Sequence, residues 1–149
     1  MALPIKRKAL AYITHGSRLL VFRQPDFPAA GLQVPGGSMR DDERPEDAVL
    51  REAFEETGLL DLTLGAFLGD ARHDYSLFGQ DEIHHRFYYH LVAGGEVPDL
   101  WQHTERDPSE GDYESVLFEL FWVDLPNGVP SLIRYRDEKI LDLLLELGL

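Results

Sequence analysis

The sequence contains no cysteine. That absence excludes a disulfide framework, a thiolate nucleophile and a thiolate metal site, so a bound metal must sit on oxygen or imidazole. It also suits a reducing compartment, and a cytoplasmic location is the expectation. No apolar run approaches the roughly 18 to 20 residues that a membrane span needs, and the opening MALPIKRKAL lacks the charged-then-apolar order of a secretory signal. A soluble, unprocessed protein without a membrane partner is expected. Basic residues are scarce: 14 Lys and Arg stand against 27 Asp and Glu, a formal net charge of -13. Binding to a long nucleic acid draws most of its free energy from lysines and arginines that displace counterions, so that partner is excluded. Small phosphorylated ligands are not, because a bound divalent cation reverses the local sign of an acidic site.

What is present fits one domain over residues 1–149, with enough apolar residues, 44%, to fill a single core. There is no internal repeat, low-complexity tract or compositional break. A homodimer is compatible with this composition. KRKALAYIT and RLLVFRQ read as two strands around the turn HGS, and PDFPAAG as a loop. LQV then leads into PGG, where missing Cβ atoms allow a tight turn or a close approach to a ligand. Pro45, Glu46 and Asp47 open a helix that runs to Thr57 and stops at Gly58. LTLGAFLG, HHRFYYHLV and SVLFELFWV read as strands, Gly94 to Glu114 as an irregular acidic segment, and a C-terminal helix can open at Ser131. Strands, one central helix, more strands and a closing helix predict an α/β layered domain with a mixed sheet.

The central helix carries the chemistry. At about 100° per residue, Glu52, Glu55 and Glu56 fall within roughly one third of its circumference, and the same geometry sends Leu50, Ala53 and Phe54 to the opposite side. The pattern predicts one buried face and one carboxylate face. Most such clusters are solvated faces. Here the energetics argue against that reading, because glutamate near a helix C-terminus is unfavourable by roughly 0.3 to 1 kcal/mol per charge, and like charges one turn apart add to it. Arg51 reaches Glu55 one turn on but cannot neutralise three carboxylates. A hard divalent cation can, since Mg²⁺ takes oxygen ligands and is held by a few carboxylates with several waters.

Reading outward, Gly37 is followed after five positions by Glu43 and after seven more by Arg51, Glu52, Ala53, Phe54, Glu55, Glu56, Thr57, Gly58 and Leu59. This run resembles the Nudix box, G-x5-E-x7-R-E-U-x-E-E-x-G-U, with every fixed identity in place. Ala53 stands where a larger aliphatic residue is common, which touches packing rather than chemistry. The resemblance to Nudix hydrolases, of the MutT-like kind, implies an α/β/α sandwich with a mixed central sheet. It implies a metal-dependent pyrophosphohydrolase that cleaves a nucleoside diphosphate linked to a group X, with Mg²⁺ or Mn²⁺ as cofactor and a small nucleotide as partner. Glu52, Glu55 and Glu56 would be metal ligands and Glu52 also a candidate base. Arg51 would orient Glu52 and pair with Glu43, while Gly36 and Gly37 would bring backbone near metal or phosphate. The alternative is a catalytically silent nucleotide-binding or regulatory module, but such modules often lose box glutamates and none is lost here.

Outside the box, some family members carry a further catalytic or metal-binding glutamate on a later loop. Of Glu105, Glu110, Asp112 and Glu114, Glu105 is the choice. Trp101 and Tyr113 are candidates to stack on a base or to pack that loop. Tyr75, 16 residues beyond Leu59, resembles the pattern of Nudix enzymes acting on dinucleoside polyphosphates. ADP-ribose, nucleotide sugars and nucleoside triphosphates stay open. His84, Arg86, Tyr88 and His90 share one face of a strand, which places Arg86 as a candidate phosphate contact. The run Lys6, Arg7 and Lys8 reads as a strand edge kept soluble by charge.

Overall fold

The computed structural model describes residues 2–105 and 115–149. Its strands are β1 (Ile5–His15), β2 (Arg18–Arg23), β3 (Gly36–Ser38), β4 (Leu62–Asp74), β5 (Ile83–Ala93), β6 (Leu100–Glu105) and β7 (Val116–Asp124). Two helices accompany them, α1 (Pro45–Thr57) and α2 (Ile140–Leu147). The described strands form one seven-stranded sheet in the order β4-β5-β1-β2-β7-β6, with β3 laid against β1. β1 and β5 run parallel and the other pairs antiparallel, so the sheet is mixed as expected.

Side-chain alternation along a strand splits the core in two. Ala9, Ala11 and Ile13 of β1 join Val49 and Ala53 of α1 on one face, while Leu10 and Tyr12 join Leu143 of α2 on the other. One helix therefore covers each face, and the fold is the α/β/α sandwich. Among the described residues no helix is long and apolar enough to cross a membrane.

Several local expectations change. Leu100–Glu105 is a strand rather than irregular chain, because it pairs with β7 from Leu100 opposite Phe121 to Glu105 opposite Val116. Gly36 and Gly37 lie in strand β3 instead of a turn. A Cβ on Gly36 would stand 2.6 Å from the Ala9 carbonyl oxygen, so the missing side chain serves the approach of β3 to β1. The C-terminal helix begins at Ile140, not Ser131, after a 3-10 turn at Ile133–Tyr135. Lys6 and Lys8 are not on an edge: β1 is interior, with β5 on one side and β2 and β3 on the other.

The buried face of α1 is also rotated from the one expected, although Ala53 is buried as read and Leu50 packs on the core. Its boundaries are those predicted, with Gly58 at φ 74° closing it through an N–H to the Phe54 carbonyl. Yet Glu52 and Glu56 are 0% and 5% exposed, whereas Phe54 is 49% exposed. The buried stripe is centred on Ala48, Val49, Glu52, Ala53 and Glu56, so the carboxylates share the inward face with small apolar residues. Ala48 and Ala53 let the helix sit close to the sheet, and the charge goes in with them.

Candidate active site

Strand β6 presents Trp101, His103 and Glu105 on one face, and all three meet α1. The Trp101 indole N–H donates to the Thr57 carbonyl at 2.9 Å, and His103 Nε2 lies 2.9 Å from the Glu55 carbonyl oxygen. These contacts satisfy last-turn carbonyls that a helix cannot pair within itself. Trp101 thus fastens helix to strand and packs near Trp122, instead of offering its ring to a base. The same alternation carries Glu105, 6% exposed, to the inward stripe of α1. Carboxylate oxygens of Glu52, Glu55 and Glu105 all come within 4.8 Å of one another. Glu56 lies outside that trio and accepts the Gly36 N–H at 3.3 Å. Glu110, Asp112, Tyr113 and Glu114 lie outside the described residues.

Gathering these acids is electrostatically expensive. Burial drives the Glu56 pKa well above its ordinary value, and the nearby charges of Glu52 and Glu105 raise it further. Arg51 offsets only part of this. It donates to Glu43 through Nε and Nη2, both at 2.8 Å, and through Nη1 to Glu52 at 2.8 Å and Glu55 at 3.2 Å. Its Nη2 also reaches the Ser38 carbonyl at 3.1 Å, which ties helix to β3. The donor set remaining is hard anionic oxygen, which fits a hard divalent cation such as Mg²⁺ or Mn²⁺.

The Arg51 fork holds the Glu43 carboxyl down to about 2 from the usual 4.5. A depressed folded-state pKa contributes stability above the unfolded value that is lost as pH falls through the folded one. Glu43→Gln is therefore expected to cost about 1 to 2 kcal/mol at pH 7, a figure reduced for partial exposure. The difference from wild type should shrink between about pH 5 and pH 2, as read by denaturant unfolding across that window. A gap that stays constant with pH would show that the ion pair carries none of it.

Beyond β3 lies a cavity of about 600 Å³. Gly36 and Gly37 line it, and Gly36 also holds Glu56, so the strand joins cavity and carboxylates. Tyr75 and Arg86 line it as well, but each is buried, at 2% and 1% exposed. Arg86 spends its donors on protein: the Tyr75 hydroxyl, the Arg134 carbonyl at 2.7 Å and the Tyr88 hydroxyl at 3.3 Å. His84 stacks on Tyr75 with ring centroids 3.6 Å apart. Lys6, Lys8, Arg134 and Arg136 complete a cationic lining that sequence reasoning missed. For the lysines a signal existed, since Lys6, Lys8, Leu10 and Tyr12 fall at every second position of β1 and so share one face. For the arginines none did, because their place depends on how the C-terminal segment folds back.

Comparison with known proteins gives the family and the fold. The family description "NUDIX domain" matches residues 4–144. A MutT NUDIX hydrolase from Burkholderia pseudomallei superposes with a TM-score of 0.66 at 23% identity, over 93% of this chain and 98% of that one. A UDP-X diphosphatase gives 0.66 at 18% identity over 99% of this chain, which spans 65% of that protein's length. A bifunctional NMN adenylyltransferase/ADP ribose pyrophosphatase from Francisella tularensis, complexed with AMP and a Mn ion, gives 0.57 at 21% identity, over 97% of this chain and 42% of that one. With the family description covering nearly all of its length, the chain belongs to the Nudix hydrolase family.

Proposed function

We propose that this chain is a divalent-cation-dependent pyrophosphohydrolase that cleaves a nucleoside diphosphate linked to a further group X, working as a single domain. The observation that carries this reading is the convergence of Glu52, Glu55 and Glu105 within 4.8 Å, beside a strand that also lines a cationic cavity. Those three residues would hold Mg²⁺ or Mn²⁺, with Glu56 as the fourth acid of the cluster. A cation bound there supplies charge neutralisation of the phosphoryl oxygens and a more acidic water.

The chain's own groups do the rest. Glu52 accepts the proton of the attacking water as the oxygen bonds to phosphorus, the bridging P–O bond breaks, and each product leaves with its own phosphate. Arg51 holds the Glu52 carboxylate in place at 2.8 Å, and Glu43 holds Arg51. Gly36 and Gly37 offer backbone at the mouth between carboxylates and cavity. Arg86, too enclosed to grip substrate directly, adds positive potential and supports Tyr75. Among X groups, the position of Tyr75, 16 residues beyond Leu59, favours a dinucleoside polyphosphate by its resemblance to enzymes of that kind. UDP-linked and ADP-ribose-type substrates, suggested by the neighbours, belong in the same test.

That test is a hydrolysis screen over nucleoside-diphosphate derivatives with Mg²⁺ or Mn²⁺, the products resolved by mass. Cleavage at a phosphoanhydride bond is the expected result. Saturable binding without turnover across the panel would instead make the chain a silent binding module.

A further inference from the structure

Strand β4 forms one edge of the sheet. Its 13 residues pair with β5 on one side, and among the described residues no strand takes the other. Such an edge carries a row of unpaired N–H and C=O groups that a second strand can use. The register with β5 shifts between Leu64 and Phe67 and again between Phe67 and Gly69, but from Gly69 to Asp74 the pairing runs without interruption.

Neighbouring hydrogen bonds fix which residues of that straight stretch face outward. Tyr75 N–H donates to the Glu82 carbonyl at 2.8 Å, so position 75 faces β5, and Ile83, opposite Asp74, turns its N–H to the Pro4 carbonyl at 2.9 Å, away from β4. Opposed residues of an antiparallel pair aim their backbone groups at each other or both away. Asp70, Arg72 and Asp74 therefore present N–H and C=O to the open edge, and Ala71 and His73 bond to β5.

Charge along an edge commonly keeps other strands off. Here the signs alternate, so the outcome depends on register. When two copies of one strand pair antiparallel about a two-fold axis, the pairing is centred on one residue, and its neighbours on either side face each other. Centred on Arg72 or Asp70, it sets that charge against its own copy. Centred on His73, it sets Arg72 against Asp74, whose Oδ1 already accepts the Ser76 N–H at 2.9 Å and hydroxyl at 2.6 Å at the strand's end. Centred on Ala71, it sets Asp70 against Arg72 twice, keeps Gly69 to His73 opposite itself and brings the outward backbone groups of both charged residues into hydrogen-bonding phase. Arg72 is exposed and, among the described residues, has no carboxylate within ion-pair distance.

A second observation agrees with that register. It lays Leu68 opposite Asp74, so the 3-10 turn Tyr75–Phe78 of one copy runs past Phe67 of the other. Leu77 on that turn is 80% exposed and Phe67 52%, two apolar side chains that a single copy leaves to solvent. The geometry points to a two-fold homodimer in which the β4 edges pair antiparallel about Ala71, joined by reciprocal Asp70–Arg72 pairs. The carboxylate clusters, carried by α1 and by β6 at the opposite edge of the sheet, stay clear of the seam.

The test is sedimentation equilibrium of the full chain, with wild type expected to dimerise at a Kd of about 1 to 100 micromolar, as suits an interface at the small end of the range. Arg72→Asp and Asp70→Arg each place like charges in both cross-strand pairs and should each weaken the dimer at least about tenfold. The variant carrying both substitutions restores opposite charges and should return to within about threefold of wild type. Hydrogen exchange supplies a second readout on the wild type alone, since the outward amides of Asp70 and Arg72 should gain protection as concentration rises through the Kd. A monomer at about 1 millimolar overturns the inference, that being well above the affinity expected. So does a dimer that neither single reversal weakens, or one that the double variant fails to restore. If a single variant does not fold, the wild-type exchange decides, and protection at Asp70 and Arg72 that ignores concentration rejects the pairing.

Discussion

Replacing Glu52 by Gln should leave a folded protein that has lost all but about one part in 10³ of its turnover, the middle of the range for a general base. Glutamine keeps the size of the side chain and one acceptor for Arg51 Nη1, but it can neither take a proton nor supply a negative charge to a cation. Retention of the fold is expected from the surroundings. Arg51 keeps its two bonds to Glu43, and removing the charge of Glu52 relieves a group that raises the Glu56 pKa. The melting temperature in the absence of metal should therefore hold within a few degrees, while kcat collapses. A kcat within tenfold of wild type would show that Glu52 is neither base nor ligand. A cooperative loss of structure would show that its burial is architectural.

Much of this was legible in the chain because the decisive signals are local. The start and stop of α1 are written in Pro45, Glu46, Asp47 and Gly58, each acting within one turn, and the structure places the boundaries as read. The i,i+4 spacing of Arg51 and Glu55 likewise predicted their contact, whereas the pairing of Arg51 with Glu43 and Glu52 was implied only by the resemblance to the Nudix box.

What was not legible depends on tertiary context. Hydrophobic patterning assumes that charge points outward, and here it put Phe54 inside and Glu52 outside, the reverse of what packing does. The sheet accepts the small residues Ala48 and Ala53 and takes the buried glutamates with them. Leu100–Glu105 lacked a strand signature because the alternate positions covered on that edge strand include the polar His103 and Glu105, while the apolar Leu100 is exposed. Yet that alternation carries Glu105 inward beside Trp101 and His103. The cationic wall was least visible of all, since Lys6, Arg86 and Arg134 are far apart in sequence and meet only through the parallel pairing of β1 with β5 and the return of the C-terminal segment.

Adding Mn²⁺ or Mg²⁺ to the purified protein should raise its melting temperature by about 5 to 10 °C. A ligand at about 100 times its dissociation constant stabilises the native state by about 2.7 kcal/mol, and each kcal/mol shifts a domain of this size by about 2 to 4 °C. The effect should be specific to the carboxylate cluster, because Glu52, Glu55 and Glu105 converge only in the folded chain. Glu105→Gln separates this from general salt screening. Without metal it removes one of the like charges crowding Glu56, so the melting temperature holds or rises. With metal it removes an anionic oxygen from the trio, so a tenfold loss of affinity takes away about 1.4 kcal/mol of the added stability. One substitution should thus act in opposite senses in the two states, a crossing that screening by a monovalent salt at equal ionic strength cannot produce. Equal shifts in wild type and Glu105→Gln, or no shift in wild type at about 10 millimolar Mn²⁺, a concentration on the order used to saturate weak sites, would place the cation elsewhere.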